Sequence, residues 1–167
     1  QGDRVGLVVF ADEVRATVRR SSSQGTWRQI VGALSMHPVT KENRSRGTDF
    51  RRVVDQVLGK LTNRCVIALI SDLFVDVQDI RDAFAQLKHA GHDLIVFQVL
   101  DRAEEEFGFT DAVPFEGLEG EPTLRVDPRA LRKAYLEVFR EHNEAVQRLV
   151  RGMGFDYQKL NTHDWLG

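Results

Sequence analysis

Two short stretches of the sequence carry residues that could hold a hard metal ion. Arg46-Gly47-Thr48-Asp49 precedes an amphipathic segment, and Asp72 ends an apolar run that begins at Cys65. Glycine allows a close backbone turn, and the Thr48 hydroxyl and the Asp72 carboxylate are oxygen ligands of the kind that Mg²⁺ or Mn²⁺ prefers. We therefore predict Thr48 and Asp72 as metal ligands. On spacing alone an alternative stays open, in which Thr48 caps its helix and Asp72 caps a loop or is solvated.

A second acidic group follows a later apolar strand. Asp101 and the run Glu104-Glu105-Glu106 are expected near the same edge of the sheet, where paired carboxylates could do acid–base work. We favour a solvated acidic turn, because no partner nucleophile lies nearby in the sequence. Asp49 and Asp101 are predicted to contact a partner, and no residue is predicted to be catalytic.

Other chemistries lack their motifs. The histidines show no zinc-binding spacing, Ser71 has no Gly-x-Ser-x-Gly context, and no phosphate-binding glycine motif occurs. His142 falls on the apolar side of a long helical segment and is expected to be a core or boundary histidine with a satisfied hydrogen bond. Cys65, the only cysteine, is expected to be a buried structural thiol, and Trp27 a packing residue.

Strand and helix patterns alternate along the chain, and they must position these residues. Val5–Phe10, residues 65–72 and residues 92–100 are nearly continuous apolar runs, which is typical of strands buried on both faces of a parallel sheet. Strands separated by helices predict an α/β fold with a mainly parallel sheet. Ligands of such sheets lie beyond the carboxyl ends of the strands, which is where Asp72 is expected.

The remaining segments surround those strands. Residues 14–19 alternate in polarity, which predicts an antiparallel edge strand protected by its arginines. Residues 113–118 and 123–126 predict a small hairpin, and 155–160 a final strand. Helices are predicted by apolar stripes, which involve Trp27, Ile30, Val31 and Leu34, then Phe50 to Leu61, Val77 to Leu87, and Leu131 to Leu149.

Length and composition limit the classes of function. At 167 residues we expect one domain over 1–167, and 42% hydrophobic with 29% charged residues is ordinary for a soluble globular protein. A formal charge of −2 gives no reason to expect nucleic acid as a partner. No apolar stretch approaches the roughly 20 residues of a membrane span. We expect a cytoplasmic domain without membrane contact of its own, in a protein that could be anchored upstream.

Several segments, in their order and spacing, resemble a known family. Residues 2–10, Gly47-Thr48-Asp49 and Ile70-Ser71-Asp72 are similar to elements of von Willebrand factor A-like domains and of their metal-ion-dependent adhesion site. Residues 99–106, the hairpin after them and residues 155–162 narrow the resemblance to the bacterial "domain of unknown function 58" family. The resemblance implies a Rossmann-like, mainly parallel sheet flanked by helices, with one antiparallel edge strand and a small hairpin insertion.

The chain departs from that family at its amino end. The family's Asp-x-Ser-x-Ser motif and the strand before it, which is central in the family's sheet, have no counterpart here. We therefore expect a domain truncated at its N-terminus, in which Val5–Phe10 and residues 66–71 either pair directly or are bridged by a segment of another copy. Thr48 and Asp72 alone should bind Mg²⁺ or Mn²⁺ weakly or not at all, whereas the intact domain would hold the ion.

The resemblance implies a non-enzymatic protein-interaction module with a partial adhesion site. It also implies a MoxR-type AAA+ ATPase as partner, and a homo-oligomer would cover the open sheet edges. The alternative is a Mg²⁺-dependent phosphoryl-transfer or hydrolase domain that uses Asp72, which would require a second strand-end carboxylate and a lysine or threonine nearby. A structural remnant without a function of its own is a third interpretation.

Overall fold

A computed structural model of the chain describes residues 2–11, 13–36, 49–107, 114–115, 124–125 and 128–163. Thr48 lies outside these residues. Strands and helices alternate over most of the described chain, in the order β1 (Val5–Phe10), β2 (Val14–Ser21), α1 (Thr26–Met36), α2 (Phe50–Leu58), β3 (Val66–Ser71), α3 (Val77–His89), β4 (Asp93–Leu100), α4 (Arg102–Glu106), β5 (Pro114–Phe115), β6 (Leu124–Arg125), α5 (Pro128–Gly152) and β7 (Asp156–Asn161).

Three strands form a parallel sheet in the order β3-β4-β7. β1 and β2 form a separate antiparallel pair, and β5 and β6 form a small antiparallel hairpin. The predicted α/β class, the antiparallel strand and the hairpin insertion are therefore confirmed. β4 is central, because its backbone pairs with β3 along one edge and with β7 along the other.

Local sequence signals fix the ends of the helices. Asp76 caps α3 by accepting a hydrogen bond from the Gln78 backbone N–H at 2.7 Å. Gly91, with φ of +78°, ends the turn after α3 in the left-handed region that glycine adopts at little cost. Asp49, rather than Thr48, is the N-cap of α2, because its carboxylate accepts from the Arg52 N–H at 3.0 Å.

The core lies on one face of the parallel sheet. α2, α3 and α5 contribute buried residues to it, and Phe84, which is fully buried, contacts Phe50 and Phe155 edge to face. Leu94 and Val96 of β4 form its floor. No described helix is long and apolar enough to span a membrane.

The prediction that β3 is buried on both faces is wrong for one face. Ile67 and Leu69 pack against the core, but Val66 and Ile70 are 63% and 66% exposed. The reason is that the described helices that pack on this sheet, α3 and α5, lie on the face opposite to these side chains. β1 is likewise only partly buried along its length.

The stripe predicted on α1 is also largely exposed. Ile30 is half-buried, but Trp27, Val31 and Leu34 are 59%, 51% and 52% exposed. α1 packs only on β1 and β2 among the described elements with substantial contacts, and these two short strands cover one side of the helix. Trp27 is therefore not packed within the described chain, contrary to the prediction.

Direct pairing of β1 with β3 is wrong as well. β1 pairs with β2 alone, β3 pairs with β4 alone, and no described strand lies between them. The two sheets are connected through the core, since Phe10 of β1 contacts the Phe50 ring at a centroid distance of 6.3 Å. The acidic run after β4 is also not a solvated turn, because Glu104, Glu105 and Glu106 belong to the short helix α4.

Candidate functional site

The carboxyl ends of two neighbouring parallel strands place Asp72 and Asp101 along the same edge of the sheet. Asp72 directly follows β3, and Asp101 directly follows β4. Asp49 is tied to the same part of the core, because the residues after Asp49 and Asp72, Phe50 and Leu73, belong to one buried cluster. The edge predicted from the sequence therefore exists, although the position of Thr48 relative to Asp72 stays a prediction.

The Asp72 side chain is exposed, and only one of its oxygens is occupied by described donors. Oδ1 accepts from the Ser71 hydroxyl at 3.4 Å and from the Phe74 backbone N–H at 3.3 Å. No described group donates to Oδ2. The residue that follows, Leu73, has φ of +57° and is 1% exposed. A buried leucine in the left-handed region is strained and persists only where its surroundings impose the conformation.

Two side chains on the interior side of the loop hold Leu73 in its left-handed conformation. His142 of α5 donates from Nε2 to the Leu73 carbonyl at 2.9 Å, so the half-buried histidine is satisfied as predicted. Gln98 of β4, which is fully buried, donates from Nε2 to the Asp72 carbonyl at 2.9 Å. The carbonyls on both sides of the strained peptide are therefore held from the interior, which orients the Asp72 carboxylate toward solvent.

Gln98 is itself fixed by two further elements. Its Nε2 also donates to Asn143 Oδ1 of α5 at 2.8 Å, and its Oε1 accepts from the Tyr157 hydroxyl of β7 at 2.6 Å. Burial raises the pKa of Tyr157, so its hydroxyl remains a donor at neutral pH. We call Gln98, Asn143 and Tyr157 the Gln98 network. The Gln98 network was not predicted from the sequence, where its signal is a single glutamine within the apolar run of residues 94–100.

Asp101 is occupied on both oxygens. Oδ1 accepts from the Ala103 N–H at 2.8 Å and Oδ2 from the Thr162 hydroxyl at 2.8 Å, and these hydrogen bonds lower the pKa of the Asp101 carboxyl. Glu104 accepts from the Asp101 N–H at 2.9 Å and completes a capping box for α4. Asp101 thus organises α4 and the end of β7, and its contact with a partner stays a prediction.

Glu105 joins α4 to β7. Its two oxygens accept from Lys159 Nζ and from Asn161 Nδ2, each at 2.6 Å. The hydrogen bond from Lys159 is the largest cause that lowers the pKa of Glu105, and the bond from Asn161 acts in the same direction. This acidic run is therefore structural in its described contacts.

The described residues do not by themselves make a divalent metal site. Within the described ranges no three His, Cys, Asp or Glu side chains come together with metal-ligand geometry. Asp49 Oδ1 caps α2, and of the two predicted ligands only Asp72, with Oδ2 unoccupied by described donors, lies within the described residues. Mg²⁺ requires near-octahedral oxygen coordination, which one carboxylate oxygen does not provide.

Cys65 lies away from this edge, just before β3 begins. It is half-buried rather than fully buried as predicted, and its Sγ lies 3.5 Å from Nδ1 of the buried His92. The Cys65 backbone N–H also donates to His92 Nδ1 at 3.3 Å. These contacts fix the start of β3 against the start of β4.

Comparison with known proteins identifies the family. A family model described as "Protein of unknown function DUF58" matches residues 1–145. The chain belongs to the DUF58 family. Among solved structures, the conserved hypothetical protein BatB from Bacteroides thetaiotaomicron is similar, with 15% sequence identity and a TM-score of 0.51 over 96% of this chain and 72% of that chain. This likeness supports the fold of the DUF58 chain alone. No curated protein matches it.

Replacing Gln98 tests whether the Gln98 network holds the loop from Ser71 to Phe74, which we call the Asp72 loop. Gln98→Leu keeps the approximate volume but leaves the Asp72 carbonyl, the Asn143 amide and the Tyr157 hydroxyl without their buried partner. We expect the free energy of unfolding to fall by about 3 kcal/mol, because each unsatisfied buried group costs roughly 1–3 kcal/mol. Urea denaturation gives this value. Gln78→Leu, at an exposed glutamine of α3, is the control and should change stability by less than about 0.5 kcal/mol.

Glu105→Gln tests the connection between α4 and β7. Because the folded-state pKa of Glu105 is lowered, its ionised form stabilises the fold above the pKa of the unfolded chain. That stabilisation is lost as pH falls through the lowered folded-state pKa. Melting temperatures measured from about pH 6 down to about pH 3 should therefore fall less steeply for Glu105→Gln than for the wild type. The exposed Glu141→Gln serves as the control, and equal slopes for all three proteins would contradict the expectation.

Proposed function

We propose that this DUF58 chain is a non-enzymatic protein-interaction module whose binding surface is the sheet edge around Asp72. The observation that carries the proposal is the loop from Ser71 to Phe74. Its backbone is strained and held from the interior, while the Asp72 carboxylate is exposed and Phe74, whose ring packs against Phe139 and His142, remains 43% exposed. A rigid charged and aromatic pair suits recognition, because little side-chain and loop ordering is needed on binding.

The described contacts near Asp72 favour binding over catalysis. The Ser71 hydroxyl accepts from the Leu73 N–H at 3.1 Å, and its contact with Asp72 Oδ1 is 3.4 Å, longer than the roughly 2.6–3.2 Å at which a carboxylate acts as a general base. His142, which contacts the neighbouring Leu73, uses Nε2 to donate a hydrogen bond to the Leu73 carbonyl. Asp101, the second strand-end carboxylate, is occupied on both oxygens.

We further propose a MoxR-type AAA+ ATPase as the partner and complex assembly as the context. This part rests on the family resemblance alone. Where the family's Asp-x-Ser-x-Ser motif is also present, Thr48 and Asp72 would hold Mg²⁺ or Mn²⁺, and an acidic group of the partner would complete the coordination. Asp49 and Asp101 would border that contact.

Asp72→Asn tests the binding surface. With a purified MoxR-type ATPase from the same genome as immobilised partner, we expect the substitution to weaken binding by about tenfold or more, as removal of a central charged contact typically does. Asp55→Asn, at an exposed carboxylate further along α2, is the matched control and should bind as the wild type does. Equal affinities of Asp72→Asn and wild type would contradict the proposed surface, and no binding of the wild type would remove the proposed partner.

A thermal melt tests the metal requirement separately. Since no three metal-ligating side chains come together among the described residues, we expect millimolar Mg²⁺ or Mn²⁺ to stabilise residues 1–167 by less than about 0.4 kcal/mol, the gain at a concentration equal to Kd. Asp72→Asn should behave in the same way. A shift of several degrees that Asp72→Asn abolishes would instead mean that this chain carries a complete site.

A further inference from the structure

One face of the parallel sheet is apolar and carries no described helix. In parallel pairs, residues in register lie on the same face, so Val66, Ala68 and Ile70 of β3 share a face with alternate residues of β4. We call this the open face, and its members are Val66, Ala68, Ile70, Ile95, Phe97 and Val99. Sheets built from parallel strands are covered by helices on both faces in nearly all known folds. Among the described residues the open face lacks such a cover.

The open face has a charge at one end. Asp93 lies in register with Val66, and Asp156 of β7 lies in register with Ile95, so both carboxylates are on this face at the amino ends of the strands. Both are exposed. The surface thus combines an apolar centre with two carboxylates at one end, and an amphipathic helix with a basic end would complement it.

The chain itself presents such a helix. Trp27, Val31 and Leu34 occupy positions i, i+4 and i+7 of α1, which places them on one side of the helix, and all three are more than half exposed. We call them the α1 stripe. Arg28 lies beside its first residue, with the guanidinium 5.6 Å from the centre of the Trp27 ring. Within the described residues, the α1 stripe is therefore an exposed apolar surface with a positive charge at its amino end.

We propose that α1 of a second copy of this chain packs on the open face, with Arg28 at the end marked by Asp93 and Asp156. The α1 stripe and the open face have similar lengths. The α1 stripe extends about 10 Å, seven residues at 1.5 Å each, and the open face extends about 13 Å from Val66 to Ile70 at 3.3 Å per residue. The small Ala68 between two larger side chains gives the helix room to approach.

Symmetry determines how many such contacts form. In a two-fold dimer each copy donates its α1 stripe and receives its partner's, so both apolar surfaces of both copies are covered. One helix-on-sheet contact alone is small beside the roughly 1,200–2,000 Å² that stable interfaces bury, whereas two contacts double the area. The pairing uses neither the Asp72 loop nor its carboxylate, so it is independent of the proposed binding surface.

Sedimentation velocity over a concentration series tests the proposal. The wild-type chain should form a reversible dimer. Ile70→Glu on the open face and Val31→Glu on the α1 stripe should each weaken dimerisation at least tenfold. Val138→Glu, at a residue of α5 that is 66% exposed and lies outside both surfaces, should dimerise as the wild type does. Circular dichroism melts of the variants confirm that each one is folded.

Mixing the two defective variants gives a sharper result. Ile70→Glu keeps an intact α1 stripe, and Val31→Glu keeps an intact open face, so the mixture should associate more strongly than either variant alone. The exchange Arg28→Glu together with Asp93→Lys and Asp156→Lys should restore association that Arg28→Glu weakens. A monomeric wild type would overturn the proposal. A dimer that survives Val31→Glu would also overturn it, because strand-edge pairing between copies would then be the contact.

Discussion

A single buried amide, that of Gln98, holds together the elements on which the candidate site depends. It lies in the central strand, fully buried, and bonds to the main chain after β3, to Asn143 of α5 and to Tyr157 of β7. A polar group at this depth is stable only when all its hydrogen bonds are made, so the three elements are constrained to one arrangement. The hydrogen bond from Gln98 to the Asp72 carbonyl therefore also fixes the position of the Asp72 loop.

The strain at Leu73 is the consequence. A left-handed leucine would relax in an open loop, but here its side chain is buried in the core and its carbonyl is held by His142. The backbone at Leu73 is therefore rigid, whereas the neighbouring Asp72 carboxylate is exposed. Asp101 shows the opposite arrangement on the neighbouring strand, since its carboxylate is used within the chain to cap α4 and to hold Thr162.

The parallel sheet is one-sided within the described residues, and this explains where the sequence-based expectations failed. Near-continuous apolar runs such as Val66–Ser71 are typical of strands buried on both faces, and the residue types do indicate burial. Whether a face is covered depends on which helices reach it, and the described helices that pack on the sheet all lie on the other face. The same reasoning applies to α1. Its apolar stripe predicts a buried helix face, but no described element packs against that face.

The sequence by itself determined the alternation of strands and helices, the caps at Asp76 and Gly91, and the placement of Asp72 at a strand end, because these depend on local propensity and on the period of apolar residues. Only the tertiary structure decided that β1 and β3 do not pair, that Asp101 is occupied and that Gln98 clamps the Asp72 loop. Those outcomes depend on contacts between residues far apart in the chain, such as Gln98 with Tyr157 and His142 with Leu73. No local pattern encodes which distant donor reaches a given carbonyl.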